Sequence, residues 1–409
     1  MLYNIMNSYF YLGNTFKEAI SVKKDIKIGL LGFGSMGRVH SYCVDNLKYF
    51  YSELPFSATI GGVCTTSVEK SKKISKRYGF GISAASEDEL IFNSDIDVID
   101  ICTPNALHYE TLKKAIAAKK DIYCEKPLCL NYSEAKEIAD MAREAGIVCN
   151  IVFNNRHLAP IMRAKEIISE GKLGRILSFS CEYLHNSALD TEKPAGWKQR
   201  REVCGGGVLV DLGSHCIDLM YFLCGGFDSV MGMSQIAFPE RAGADGTPWR
   251  TNADEAFYML CNMQSGAKGT ISVSKIASGS NDDLRFSIYG ERGSLSFSLM
   301  QPNFLRFYDG SSPTPELGGL CGYRDIECVG RYPAPAVFPS PKAPSSWIRG
   351  HVQSMYDFLS AVHERKHTSP DFSDGAYVQA VIDAAYLSDV ERRTVEISEI
   401  EKRYNGDRL

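Results

Sequence analysis

The chain has 409 residues, 44% of them hydrophobic and 23% charged, with 45 Lys plus Arg against 49 Asp plus Glu and a formal net charge of −4. That length predicts two or three domains with a large core that needs no metal or disulfide staple. The balanced charge excludes the basic footprint of a nucleic-acid or anionic-membrane binder, and the composition excludes a disordered or collagen-like chain. No run of about 20 apolar residues reads as a membrane span. The 13 cysteines are an odd, scattered set with no Cys-x-x-Cys pair. They predict reduced, buried thiols in a cytoplasmic protein rather than a zinc site or a secreted disulfide framework.

Residues 1–24 carry aromatics but no basic start, apolar core or small-residue cleavage site, and Lys17 and Glu18 interrupt them. They read as an extension, loose or docked on a neighbouring subunit, and not as a signal. From Asp25, Asp-Ile-Lys-Ile-Gly-Leu-Leu31 alternates and then runs apolar, as a buried strand does. Gly32-Phe-Gly34-Ser35-Met36-Gly37 follows at once, a G-x-G-x-x-G pattern at a strand-to-helix junction. Gly32 suits a tight turn, Gly34 the approach of a pyrophosphate, and Gly37 close packing of helix on strand. The helix N-terminus, over Ser35 and Met36, then faces the phosphates. Without its context, the pattern also describes a glycine turn that binds nothing.

A second strand, Ala58–Cys64, ends in Thr65-Thr66-Ser67 where a dinucleotide site usually carries Asp or Glu. These hydroxyls suit the ribose 2′-hydroxyl of NAD or, with Lys70, the 2′-phosphate of NADP. The turn has no Arg, which favours NAD. A helix over Val68–Tyr78 closes on Gly79. The strand Ile96–Cys102 leads into Thr103-Pro104-Asn105-Ala-Leu-His108 and a helix over Tyr109–Ala118. The strand Asp121–Cys124 then delivers Glu125-Lys126-Pro127. This alternation predicts a doubly wound parallel sheet with ligands beyond the carboxyl ends of its strands. Thr103, Pro104, Asn105, His108, Glu125 and Lys126 are therefore expected on the cofactor rim.

Glu125-Lys126-Pro127 after Thr103-Pro104-Asn105-x-x-His108 resembles the Gfo/Idh/MocA family, the glucose–fructose oxidoreductase and inositol dehydrogenase-like enzymes. The likeness continues through Gly205-Gly-Gly-Val-Leu-Val-Asp211-Leu-Gly-Ser-His215-Cys-Ile-Asp218, then through Phe286–Ser294 and Pro370–Gly375, and covers about residues 25–400. The resemblance implies an α/β fold in which an N-terminal doubly wound Rossmann domain, 25–150, precedes a C-terminal α+β domain, 151–409. The second domain would be a mostly antiparallel open sheet with helices on one face and another subunit on the other. A homo-oligomer is implied, a dimer, tetramer or larger. Segments Arg175–Tyr183, Asp254–Met263, Gly269–Ser274, Leu284–Tyr289 and Ser294–Ser298 fit such strands. Gly310–Pro344, dense in Pro, Gly and Ser, reads as surface loops over the active-site mouth. Helices near His351–His363 and Gly375–Asp389 are expected to return to the domain junction.

Oxidising a secondary alcohol requires a base for the hydroxyl proton and a nicotinamide for the hydride. Lys126 can stabilise the developing alkoxide. Asp211 and His215, four residues apart, should share one helical face. His215 titrates near neutrality and suits the proton acceptor, while Asp211 orients substrate hydroxyls or His215, or takes the proton itself. Each also has a plain structural role open to it: a solvated lysine, a helix cap, a core histidine. Arg156 either touches substrate or only bridges domains. Trp197, with Lys198, resembles a family pair that reaches the cofactor. His185 and Asn186 end a strand facing the cleft and suit sugar hydroxyls, whereas Tyr183 should pack. His40, His157, His351, His363 and His367 are assigned structural or exposed places. With these residues, the resemblance implies an NAD(P)-dependent dehydrogenase acting on a ring hydroxyl, expected at C3, of a sugar, glycoside or cyclitol. The loop around Asp190–Arg201 resembles that of bacterial family members which oxidise C3 of glucosides. A 3-keto sugar acidifies its neighbouring C–H bonds, so a redox-neutral glycoside-cleaving enzyme, or its oxidising partner, is the alternative. A nicotinamide-binding sensor without turnover would lack Lys126, Asp211 or His215, and all three are present.

Overall fold

A computed structural model describes residues 24–243, 246–311, 313–340 and 343–406. The expected extension lies outside the described residues except for Lys24, which opens the first strand. In chain order the first half comprises β1 (Lys24–Leu31), α1 (Ser35–Phe50), β2 (Phe56–Cys64), α2 (Val68–Tyr78), β3 (Ile82–Ala84) and α3 (Asp88–Ile91). It continues with β4 (Val98–Ile101), α4 (His108–Ala117), β5 (Asp121–Cys124), α5 (Tyr132–Ala145) and β6 (Cys149–Ile151). The six strands pair in the order β3-β2-β1-β4-β5-β6, all parallel. Ile28, Leu30, Val98, Ile99 and Ile122 are buried because helices cover both faces of this sheet. The Ser67 side chain caps α2 by accepting from Lys70 N, and Gly79 closes it at φ 80. β4 is shorter than expected: Ile96 N bonds Asn93 O in a turn, and Asp97 Oδ2 accepts from Lys27 N. The strand order reverses between β1 and β4, which opens a crevice at their carboxyl ends.

The second half runs through α6 (Ala159–Ser169), β7 (Ile176–Leu184), α7 (Arg201–Cys204), α8 (Ser214–Cys224), β8 (Phe227–Gln235), β9 (Glu240–Ala242) and β10 (Pro248–Arg250). Next come β11 (Ala256–Met263), β12 (Lys268–Ser274), β13 (Asp283–Gly290), β14 (Gly293–Ser298), β15 (Phe304–Asp309) and β16 (Tyr323–Glu327). The chain closes with α9 (Trp347–Glu364), α10 (Phe372–Glu391), β17 (Val395–Glu396) and α11 (Ile397–Gly406). Nine strands form one sheet, β16-β15-β14-β13-β7-β12-β11-β8-β17, and only β7 and β12 run parallel within it. One apolar core runs from Ile99 and Ile122 through Phe153 and Leu158 to Phe179, Leu209, Phe257 and Val381, so the two sheets are packed as one body. The stretch Arg201–Cys224 is long and apolar enough to cross a membrane, and 83% of its apolar window is buried in this core. All 13 cysteines are unpaired, and Cys321 is the exposed one.

The returning helices brace the junction. On α9, Val352, Met355, Phe358 and Leu359 pack with Val44, Leu47 and Phe50 of α1, and Tyr123 Oη pairs with Ser354 Oγ at 2.8 Å. The Pro- and Gly-rich segment does not lie over the active-site mouth as expected. Its β16 extends the large sheet at one edge, while Tyr51 bridges to Ala336 and Ser52 N donates to Pro335 O. Those contacts sit at the end of α1 opposite the glycine turn. Pairing free backbone groups on a sheet edge and a helix end holds the segment there.

Arg156 stands in a short 3₁₀ turn, Asn154–His157, and is 5% exposed. Its Nε and Nη2 donate to Asp218 on α8 at 3.0 and 2.6 Å, and Nη2 reaches Asp374 on α10 at 3.3 Å. Removing one member of a buried pair strands the other charge. The variant Arg156→Met should lose about 3 kcal/mol of stability by urea denaturation; a loss below about 1 kcal/mol would mean Asp218 does not depend on this partner.

Candidate functional site

The glycine turn sits at the crevice. Gly32 takes φ 91, and a Cβ there would lie 2.5 Å from Cys102 O on the neighbouring strand end. A Cβ on Gly37 would lie 2.4 Å from Gly32 O, whereas one on Gly34 meets nothing within 4 Å. Gly34 is the N-cap residue just before α1, and no side chain caps the helix. The first-turn N–H groups of Ser35, Met36 and Gly37 are thus available to an anion, and the open space at Gly34 lets a pyrophosphate reach the backbone. At the end of β2, Thr65 Oγ1 donates to Ser67 O and shares a bond with Ser71 Oγ, both at 3.1 Å. Ser67 caps α2, so of the three expected hydroxyls only Thr66 stands exposed and free of the turn's own bonds.

Across the crevice, Asn105 Nδ2 donates to Cys204 O at 2.9 Å and ties the cofactor rim to the second half. His108 is corrected from a cofactor contact to a support. Its ring is wholly buried between Thr103 O and Pro127 O, at 3.0 and 2.9 Å, and it joins the Thr103-Pro104-Asn105 turn to the Lys126-Pro127 turn. Burial pushes its pKa down. Glu125 accepts from Lys126 N through Oε2, and its Oε1 lies 3.2 Å from His40 Nε2. On the other side His40 Nδ1 meets both oxygens of Asp100, at 2.9 and 3.1 Å, and Cys102 Sγ at 3.1 Å. Burial works against a charge on His40, but Asp100 outweighs it and raises the pKa well above the ordinary value. His40 thus bonds Asp100 and Cys102 and stands at ion-pair distance, without a hydrogen bond, from Glu125. His40, Asp100 and Cys102 are also the set of described residues whose donor atoms, within 4.8 Å, are close enough to hold a metal ion, and here they bond one another.

Lys126, at the end of β5, donates to Asp211 O at 2.6 Å and Asp211 Oδ1 at 3.0 Å. Lys198 meets Oδ1 and Oδ2 of the same carboxylate at 3.0 and 2.9 Å, and Lys275 meets Oδ2 at 2.9 Å. Asp211 is no helix cap. It lies inside a π-helical turn, Leu209–Gly213, that runs into α8, a wider turn than the α-helical spacing predicted. The glycines before it allow that geometry: a Cβ on Gly207 would fall 2.2 Å from Asp254 O, and one on Gly206 2.3 Å from Tyr386 Oη. Burial favours a neutral Asp211, yet Lys126, Lys275 and Lys198 overcome it and hold the pKa well below the carboxylate range. Burial depresses Lys126, with Lys198 adding to the effect and Asp211 opposing it.

His215 opens α8 and packs edge-on against Phe153 and Tyr183, with ring centroids 6.1 and 5.9 Å away. Its Nδ1 is buried without a hydrogen-bond partner. Burial, helped by the Lys126 charge, lowers its pKa to about 3, so the expected titration near neutrality is corrected: the ring is neutral throughout the physiological range. Beside it, Asp282 Oδ1 accepts from Tyr183 Oη at 2.7 Å and lies 2.9 Å from His185 Nε2, so Tyr183 does more than pack. Asn186 occupies an exposed turn closed by Leu189 N on its carbonyl. Trp197 is 38% exposed at the lip, with Lys198 Nζ 5.7 Å from its ring. Arg156 is not brought to this cluster, because Asp218 and Asp374 engage it. Lys275 and Asp282 complete the cluster and were not expected. Their only sequence signals are a lysine directly after a buried strand and an aspartate in a polar turn.

Residues 26–153 match the oxidoreductase family with an NAD-binding Rossmann fold, and residues 161–296 match the GFO/IDH/MocA C-terminal domain. The chain belongs to the Gfo/Idh/MocA oxidoreductase family. It is 28% identical over 391 residues to levoglucosan dehydrogenase of Pseudarthrobacter phenanthrenivorans, covering 92% of this chain and 99% of that one. Glucose-6-phosphate 3-dehydrogenase of Bacillus subtilis is 24% identical over 380 residues, covering 91% and 99%. The solved structure of levoglucosan dehydrogenase with NADH and levoglucosan superposes with a TM-score of 0.87 at 29% identity, covering 91% of this chain and 100% of the other. The first half of this oxidoreductase is thereby an NAD-binding Rossmann fold, as its glycine turn implies.

Two outcomes follow from the geometry. Gly34→Ala should leave thermal unfolding unchanged and weaken NAD binding about tenfold, whereas Gly37→Ala should lower the unfolding temperature. Equal behaviour of the two variants in unfolding and NADH-fluorescence titrations would refute this placement of the pyrophosphate. For His215 the folded pKa of about 3 lies below the ordinary 6.5. Below pH 6.5 the unfolded chain binds a proton that the folded chain refuses, so His215 makes stability fall as pH drops towards 3. In urea denaturation, His215→Asn should lose less stability than the parent between pH 6.5 and 5. Identical losses would mean that the folded His215 takes up the proton.

Proposed function

We propose that this oxidoreductase transfers a hydride between a ring secondary hydroxyl, at C3, of a sugar, glycoside or cyclitol and the nicotinamide of NAD. The observation that carries the reading is the convergence of Lys126, Asp211 and a neutral His215 at the carboxyl end of β5, beside the glycine turn. When bound, the cofactor supplies the hydride acceptor. An ammonium has three N–H donors; Lys126 places two on Asp211 and keeps one for the alcohol oxygen, where it stabilises developing negative charge. His215, unprotonated in the resting site, is placed to accept the hydroxyl proton, and the nearby charges of Asp211 and Asp282 favour the imidazolium so formed. Asp211, held ionised and with both oxygens occupied by its lysines, orients Lys126. Asp282, His185 and Tyr183 line the adjoining wall with the fixed donors and acceptors that a polyol needs. The names of the levoglucosan and glucose-6-phosphate 3-dehydrogenases support a carbohydrate and a C3 hydroxyl.

NAD is preferred to NADP because no arginine stands at the end of β2, where a 2′-phosphate would lie. The unpaired thiols suit a reducing cytoplasm. A second copy of the chain would cover the outer face of the large sheet, where the cross-strand pairs Met231–Leu260 and Met233–Tyr258 stand 41–59% exposed.

The test is the fluorescence of bound NADH as inositols, glucose, anhydrosugars and glucosides are added with NAD. A substrate-dependent rise supports the reading. Release of an aglycone without net NADH would instead favour redox-neutral cleavage, and no cofactor signal would refute it. Lys126→Met should lower kcat roughly a thousandfold while NAD affinity stays within a few-fold; full turnover by that variant would end the catalytic assignment.

A further inference from the structure

Two charged residues around Asp211, Lys198 and Lys275, meet no reacting atom in the chemistry above. One carboxylate there serves three ammonium groups, with Lys126 and Lys198 on Oδ1 and Lys198 and Lys275 on Oδ2. A structural ion pair needs one cation. Further like charges on the same anion repel one another, and a lysine without another task gains by turning into water. Lys275 does not turn out: its side chain is 12% exposed. Its backbone is pinned at both ends just past β12, where N donates to Glu255 O and its carbonyl accepts from Ala188 N, each at 2.8 Å. Glu255 is itself held by the Arg241 guanidinium and by Ala237 N and Phe238 N. The ammonium of Lys275 is thus delivered to Asp211 from a rigid base.

We propose that Lys275, assisted by Lys198, is a positioning residue for Lys126: it holds the second oxygen of Asp211, so that the aspartate meets Lys126 through one side-chain oxygen and cannot neutralise it with both. The proposal rests on Lys126 being the group that meets the substrate hydroxyl. The charged and titratable groups facing Lys126 are Asp211, Lys198 and Glu125, with neutral His215 adjacent and the Asp282–His185 pair behind it. With Oδ2 occupied, Lys126 retains a free N–H and a weakened hold on its proton, and the trio leaves positive charge where an alkoxide forms. Without Lys275, Oδ2 keeps only the more exposed Lys198 and can turn towards Lys126 and tighten that hold. This also explains how Asp211 lies close to the proton transfer without competing for the proton.

The experiment is the pH dependence of Lys126 acylation by trace acetic anhydride, followed by peptide mass spectrometry on the full chain. In Lys275→Met the midpoint for Lys126 should rise by about one pH unit, and in Lys275→Arg it should stay near the parent's. The same Met variant should lower kcat about tenfold or more with KM within about threefold. A rise in KM with kcat intact would make Lys275 a substrate contact and overturn the proposal. So would an unmoved Lys126 midpoint in a folded Lys275→Met protein. Should that variant not fold, Lys198→Met, altering a side chain 47% exposed, reads the same midpoint. Failure of the parent to turn over any polyol would sink the proposed function, yet the acylation midpoint would still report on the clamp.

Discussion

The carboxylate of Asp211, gripped by lysines from three parts of the chain, is the contact on which the rest of the molecule turns. Lys126 comes from the end of a strand in the parallel sheet, Lys275 from the end of a strand in the large sheet, and Lys198 from the loop between β7 and α7. The cluster exists only while the two sheets keep their relation. Asn105 on Cys204 O, Arg156 between Asp218 and Asp374, and α9 packed on α1 all maintain it. Burial raises the stakes, since charges withdrawn from water hold together only when each has a partner.

Burial also sets the protonation states that the chemistry needs. Asp211 remains ionised because three cations overcome its desolvation, and His215 remains neutral because desolvation and Lys126 act in the same direction. His40 goes the other way, since Asp100 outweighs its burial and favours its cation, 3.2 Å from Glu125. Three titratable residues within one crevice thus take three different states from the same low-dielectric surroundings, according to which charge lies nearest.

The cofactor half was largely legible in the sequence. Val68–Tyr78 and Asp121–Cys124 agree with the strand and helix periods residue for residue, and the helix after His108 differs by one position at each end. Gly32, Gly34 and Gly37 could be given separate tasks beforehand because each answers a local demand of a strand-to-helix turn. The second half was legible as strands and as the Asp211–His215 pair, but not in how its other residues complete the site. The π-helical turn at Leu209–Gly213 arises from packing against Asp254 and Tyr386, residues distant in sequence. Arg156 was open between touching substrate and bridging domains until its two aspartates were seen on other helices. The Pro- and Gly-rich segment carries no periodic pattern, so its attachment to the end of α1 could not be foreseen.

By itself the sequence determined the doubly wound sheet, the glycine turn, the lysine at a strand end and the aspartate–histidine pair on the entry to one helix. Each is written within a window of a few residues, through side-chain period, turn chemistry and backbone freedom. Tertiary structure alone decided that Lys275 and Asp282 join the cluster, that His108 and Arg156 support it from outside, and that His215 is neutral. Proximity between distant residues and removal from water are properties of the packed chain, and no local pattern encodes either.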